Sequence, residues 1–122
     1  MIKNSKPCIL LVDDDVDWLE LMQLTLNKEG FNPVVSVNGA DIWVKIHTCH
    51  PKLILLDIHM QGISGETFCQ LIKSNPATSH IPVLMYSSNR DIDVVAKRCG
   101  ADGYVEKSLS SREVKERVMQ YV

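Results

Sequence analysis

Short apolar runs, each followed by a longer stretch of helical period, recur five times along this chain, and that rhythm constrains its fold more than any other feature. Cys8-Ile9-Leu10-Leu11-Val12 is continuously apolar, the pattern of a strand buried on both faces. Asp17 to Lys28 carries Trp18, Leu19, Leu21, Met22, Leu24 and Leu26 as a wide helical stripe, with Gly30 placed to end it. Pro33 to Val37 predicts a second strand, Asn38-Gly39 a turn, and Ala40 to His50 a helix stopped by Pro51. Leu53 to Leu56 predicts the third strand, ending at Asp57; a loop with Gly62 and Gly65 then leads into a helix holding Phe68, Leu71 and Ile72, broken at Asn75-Pro76. Ile81 to Tyr86 is the fourth strand, before the polar loop Ser87-Ser88-Asn89-Arg90. Asp91 to Cys99 is helical and closed by Gly100, and Gly103 to Glu106 is a short fifth strand. Ser110 and Glu113 have capping-box spacing for a last helix whose apolar side is Val114, Val118, Tyr121 and Val122.

Repeated βα order implies an α/β fold: a parallel sheet with helices on both faces, joined by right-handed crossovers. At 122 residues there is material for one core, so residues 1–122 are expected to be a single domain without an output domain. The net charge of -2 supplies no field toward nucleic acid or an acidic membrane. No apolar stretch is long enough to span a bilayer, and the polar, basic start Met1 to Pro7 lacks the features of a signal peptide, so a cytoplasmic location is expected. Cys8, Cys49, Cys69 and Cys99 are scattered among apolar neighbours, which suits reduced, packed thiols. His47, Cys49 and His50 could be imagined around a metal; the end of a helix before Pro51 is the simpler reading.

In an open parallel sheet, ligands bind beyond the carboxyl ends of the strands, where the strand order reverses. The loops there hold Asp13-Asp14-Asp15, Asp57, Ser87-Ser88 and Lys107. If the first and third strands are neighbours, Asp13, Asp14 and Asp57 converge. Clustered carboxylates repel unless a positive group neutralises them, and a hard dication such as Mg2+ with oxygen ligands does so. A carboxylate nucleophile, a cation, a lysine and a hydroxyl together are equipped to hold a transferring phosphoryl group. Each piece has a plainer reading. The aspartate run can cap a helix, the role expected of Asp15; Asp57 can be a loop acid, Lys107 a solvated lysine, Ser87 a cap and Tyr104 packing.

Ile9 to Asp15, Leu53 to Met60 with Gly65, Pro82 to Ser88 and Gly100 to Lys107 resemble, in order and spacing, the receiver domains of two-component response regulators. The resemblance implies a flavodoxin-like (βα)5 three-layer sandwich with sheet order 2-1-3-4-5. It implies that Asp57 accepts a phosphoryl group and that Asp14, Asp57 and the backbone carbonyl of His59 bind Mg2+, with Asp13 acting through water. By the same resemblance Lys107 would pair with Asp57 and then with its phosphate, while Ser87 and Tyr104 would switch and re-shape the face of the fourth helix, fifth strand and fifth helix. The implied partners are a sensor histidine kinase or histidine phosphotransfer protein upstream and a protein target or fused output domain downstream, with no direct nucleic-acid or membrane contact. The chain departs from the family at Ser108 and Gln61, where proline is usual, at Ser88, where alanine or glycine is typical, and in having His59 and Asn89 at positions that modulate phosphate lifetime. Because a non-proline cis bond costs about 2.5–4 kcal/mol, Lys107-Ser108 is expected to be trans, with a re-routed loop that threatens the reach of Lys107. Two other functions compete: a receiver-like binding module that signals without phosphorylation, and an aspartyl-nucleophile phosphatase, whose D-x-D motif would place the acceptor after the first strand instead.

Overall fold

A computed structural model describes residues 6–60, 64–88 and 90–122. Strands β1 (Cys8–Val12), β2 (Asn32–Ser36), β3 (Leu53–Asp57), β4 (Val83–Ser87) and β5 (Gly103–Glu106) alternate with helices α1 (Val16–Lys28), α2 (Ile42–Cys49), α3 (Gly65–Ser74), α4 (Ile92–Cys99) and α5 (Ser111–Met119). The strands pair in parallel in the order β2-β1-β3-β4-β5, the flavodoxin-like arrangement.

β1, β3 and β4 are buried along their whole length, which is why their sequences are continuous rather than alternating. Their side chains still divide by parity. Ile9 and Leu11 of β1 pack with Leu19, Met22 and Leu26 of α1 and Val114 and Val118 of α5. Leu10 and Val12 face the opposite layer, with Ile42 and Ile46 of α2, Phe68 and Ile72 of α3, and Ile92 and Val95 of α4. Each such fully buried aliphatic contributes about 1.5–3 kcal/mol relative to exposure.

The helix stripe of α1 is narrower than the sequence suggests: Leu21 and Leu24 are exposed, because a helix on a sheet buries only the arc that touches it. β2 ends at Ser36, so Val37 lies outside it, and α2 starts at Ile42 rather than Ala40. β4 runs from Val83 through Ser87, which makes Ser87 a strand residue; Asp91, not Ser87, is the N-cap of α4. α5 ends at Met119, and Val122 is exposed rather than part of its buried side. Its capping box is formed by Ser110 and Glu113 as their spacing predicts. His50 ends α2 in a left-handed conformation at φ 47°, its amide donating to the Ile46 carbonyl, so the His47, Cys49 and His50 group is a helix end before Pro51. The four cysteines are free. Gln61, Gly62, Asn89 and the segment 1–5, to which the sequence assigns a loop, a modulating position and a polar start, lie outside the described residues.

Candidate functional site

The carboxyl ends of β1 and β3 lie side by side, with Val12 opposite Leu56, and this puts the next residue of one strand beside the last of the other. Asp13 and Asp57 are both buried and Asp14 is exposed beside them. One carboxylate oxygen from each lies within 4.8 Å of the other two. Asp15 stands apart from this group: its carboxylate accepts from the Trp18 amide and caps α1. The aspartate run therefore serves two tasks, and the capping falls to its third member.

Asp13 is fixed on both sides. Its amide donates to the Ser36 carbonyl, and its Oδ1 accepts from the Asp15 amide. Asp57 Oδ1 accepts from the His59 amide at 3.2 Å, which places the backbone of His59 at the site. Among the described residues, the second oxygens, Oδ2 of Asp13 and Oδ2 of Asp57, accept no hydrogen bond. Lys107 Nζ lies 3.5 Å from the first and 3.4 Å from the second, near enough for Coulombic pairing. Burial raises the Asp13 pKa to about 6, aided by the Asp57 charge and opposed by the Asp15 amide and Lys107.

No cis peptide bond occurs among the described residues, so Lys107-Ser108 is trans. The expected loss of reach does not follow. The Lys107 amide donates to the Ser87 carbonyl and the Leu109 amide to the Glu106 carbonyl, a turn that holds the lysine against the end of β4 while its side chain spans both carboxylates. Ser87 is buried at the end of β4, opposite Glu106. Tyr104 is half-buried on β5 and packs on the layer that holds α4.

Three carboxylates and one ammonium leave two negative charges in excess. Two buried carboxylate oxygens without hydrogen bonds are what a hard dication with oxygen ligands needs, so Asp13, Asp14 and Asp57 fit a site for Mg2+.

Gly65, already singled out in the sequence, and Tyr86, to which the sequence assigned no role, both shape the site. A Cβ on Gly65 would lie 1.9 Å from the Asp57 carbonyl oxygen, so α3 begins hard against the end of β3 and only glycine fits. Tyr86, in β4, lies under the site with Lys107 Nζ 5.0 Å from its ring centroid and the Trp18 ring 4.1 Å away. The contact of Trp18 with Tyr86 joins distant segments and leaves no local signal in the sequence.

Comparison with known proteins agrees with this geometry. The model of the response regulator receiver domain matches residues 9–119. The DNA-binding response regulator MtrA of Mycolicibacterium paratuberculosis is 33% identical over 112 residues, 90% of this chain and 48% of MtrA. The chain thus spans about half the length of the curated relatives it matches first. Protein PilG of Pseudomonas aeruginosa is 31% identical over 93% of this chain and 86% of its own length. Among solved structures, response regulator TrrA of Thermotoga maritima, in complex with Mg2+ and BeF, superposes with a TM-score of 0.83 at 29% identity, covering 95% of this chain and 99% of that one. With the family's pattern matched along nearly its whole length and the acidic cluster at the crevice between β1 and β3, this chain belongs to the response regulator receiver domains of two-component systems.

Proposed function

We propose that residues 1–122 form one phospho-accepting switch in which Asp57 takes a phosphoryl group from a phosphohistidine of a sensor kinase or phosphotransfer protein. The observation that carries this reading is the buried Asp57 carboxylate, with one oxygen free of hydrogen bonds among the described residues and Lys107 Nζ at 3.4 Å. An Asp57 oxygen attacks phosphorus, an O–P bond forms as the N–P bond breaks, and the electron pair stays on the departing imidazole. Asp13, Asp14 and Asp57, with the His59 carbonyl, are the groups that would hold Mg2+. Bound there, the ion supplies charge that offsets the carboxylates and the phosphoryl oxygens. Asp13 would act on that ion through a water, and Lys107 would transfer its pairing from Asp57 to the new phosphate.

Ser87, at the end of β4, would donate to a phosphoryl oxygen. Its shift and a change of Tyr104 rotamer would re-shape the face of α4, β5 and α5 for a protein target or a fused output domain, a shift of population between two conformations. The chemistry is confined to the domain's own phosphorylation and dephosphorylation. The receiver itself is proposed to make no direct nucleic-acid or membrane contact and to work in the cytoplasm; among the described residues no helix is long and apolar enough to cross a membrane. That MtrA is DNA-binding is said of that protein.

The test is intact mass after incubation with Mg2+ and acetyl phosphate. The wild type is expected to gain one phosphoryl group and Asp57→Asn none. No gain in either supports a phosphorylation-independent module, and turnover of unrelated phosphate esters supports a phosphatase.

A further inference from the structure

Lys107 has a flexible four-carbon stem, and its aim has to come from its surroundings. The ammonium lies 3.5 Å from Asp13 Oδ2 and 3.4 Å from Asp57 Oδ2. It also lies over the ring of Tyr86, 5.0 Å from the centroid. Tyr86 is itself immobilised: it is 1% exposed. The Trp18 indole, from the first turn of α1, lies on it with centroids 4.1 Å apart and planes inclined by 31°. An unbroken stack therefore runs from α1 through Trp18 and Tyr86 to the ammonium and then to the carboxylates. The backbone gives less guidance here than a proline would, because Ser108 carries no ring to lock its φ.

We propose that Tyr86, seated on Trp18, is a positioning residue that aims the Lys107 ammonium at Asp57. A cation over an aromatic face is drawn to the ring quadrupole, the more so where water is excluded, and the Tyr86 ring is buried. Without that seat the lysine, whose side chain is 28% exposed, has an open path to solvent. The effect on phosphoryl transfer rests on the phospho-acceptor reading; the effect on the ammonium's position does not.

Two consequences of opposite sign follow. A retreating ammonium leaves the carboxylates less neutralised, so Mg2+ binds more tightly. The same retreat removes a partner from the phosphoryl oxygens, so uptake slows. A packing defect alone would weaken both.

Tyr86→Leu and Tyr86→Phe should be titrated with Mg2+ by calorimetry and assayed for phosphoryl uptake from acetyl phosphate by intact mass. In uptake, the acyl P–O bond breaks, the Asp57 O–P bond forms and acetate leaves. Tyr86→Phe keeps the ring and is expected within about twofold of wild type in both measurements. Tyr86→Leu is expected to bind Mg2+ about threefold or more tighter and to take up phosphate about threefold or more slowly. Unchanged or weaker Mg2+ binding by Tyr86→Leu overturns the proposal, as does a Tyr86→Phe protein equally impaired. Should Tyr86→Leu not fold, Trp18→Leu must show the same pair of opposed shifts, and their absence overturns it equally. If the wild type takes up no phosphate, the phospho-acceptor reading fails and the Mg2+ titration alone decides the role of Tyr86.

Discussion

Asp13 is ringed by protein, and part of its carboxylate has been taken out of water without a hydrogen bond in return. That costs stability in the ionised form. With its pKa raised to about 6 from 3.8, chiefly by burial, the unfolded chain releases this proton first. The Asp13 contribution to stability is therefore fully present below about pH 4 and is lost as pH rises to about 6, a change of about 3 kcal/mol at most. In metal-free buffer, Asp13→Asn is expected to be the more stable protein at pH 7, with the gap from wild type shrinking toward pH 4. Urea unfolding of both proteins across that range measures it, and a gap independent of pH would refute the assignment. The pressure on Asp13 is of the kind that sites tolerate for function. At this scale the cluster of Asp13, Asp14, Asp57 and Lys107 that the fold brings together was legible, because polar residues at the ends of apolar strands stand out against their surroundings. Tyr86 was not: in an apolar run a tyrosine reads as one more large side chain, and only the fold shows that its ring meets Lys107.

Elements are joined here by contacts that admit little substitution. Gly65 opens α3 against the Asp57 carbonyl, and its amide donates to the Ile58 carbonyl at 2.9 Å. Gly65→Ala forces β3 and α3 apart; a loss of about 2 kcal/mol or more in denaturant unfolding is expected, together with impaired phosphoryl uptake. Retention of both would show that the helix start can shift. At the other end of the chain, Ser110 Oγ accepts from the Glu113 amide and the Glu113 carboxylate accepts from the Ser110 amide. Ser110→Ala is expected to cost about 1 kcal/mol by the same measurement, leaving uptake intact. Strand identities were legible because three strands buried on both faces have no polar residue to interrupt them. Their limits were less so. Ser87 joins β4 since its register partner Glu106 extends the ladder, a fact of pairing that hydrophobicity does not report. Leu21 and Leu24 looked like core and face solvent, since apolar content alone does not say how wide an arc the sheet covers.

For the whole molecule, order along the chain and order in the sheet differ, and the difference makes the crevice. β1 sits between β2 and β3, so the chain reverses direction across the sheet beside Asp13 and Asp57. The five βα units were legible in the sequence; the strand order came from resemblance, since every crossover of similar length permits several orders. An excess of two negative charges at the crevice makes the folded state a better host for Mg2+ than the unfolded chain. At a Mg2+ concentration about 100 times Kd, stabilisation of about 2.7 kcal/mol is expected, seen as a rise of several degrees in Tm. Asp14→Asn should lose most of that rise, and an equal rise in the variant would mean the ion binds elsewhere.

The crevice draws Asp13 from the loop after the first strand and Lys107 from the loop after the last, with Asp57 supplied midway. No contiguous fragment short of nearly the full sandwich holds all three. A nascent or half-docked polypeptide thus has the aspartates without their counter-charge, or the lysine without its anions. The charges of the crevice are brought together only when β5 has docked beside β4, so an unfinished copy lacks the assembled cluster.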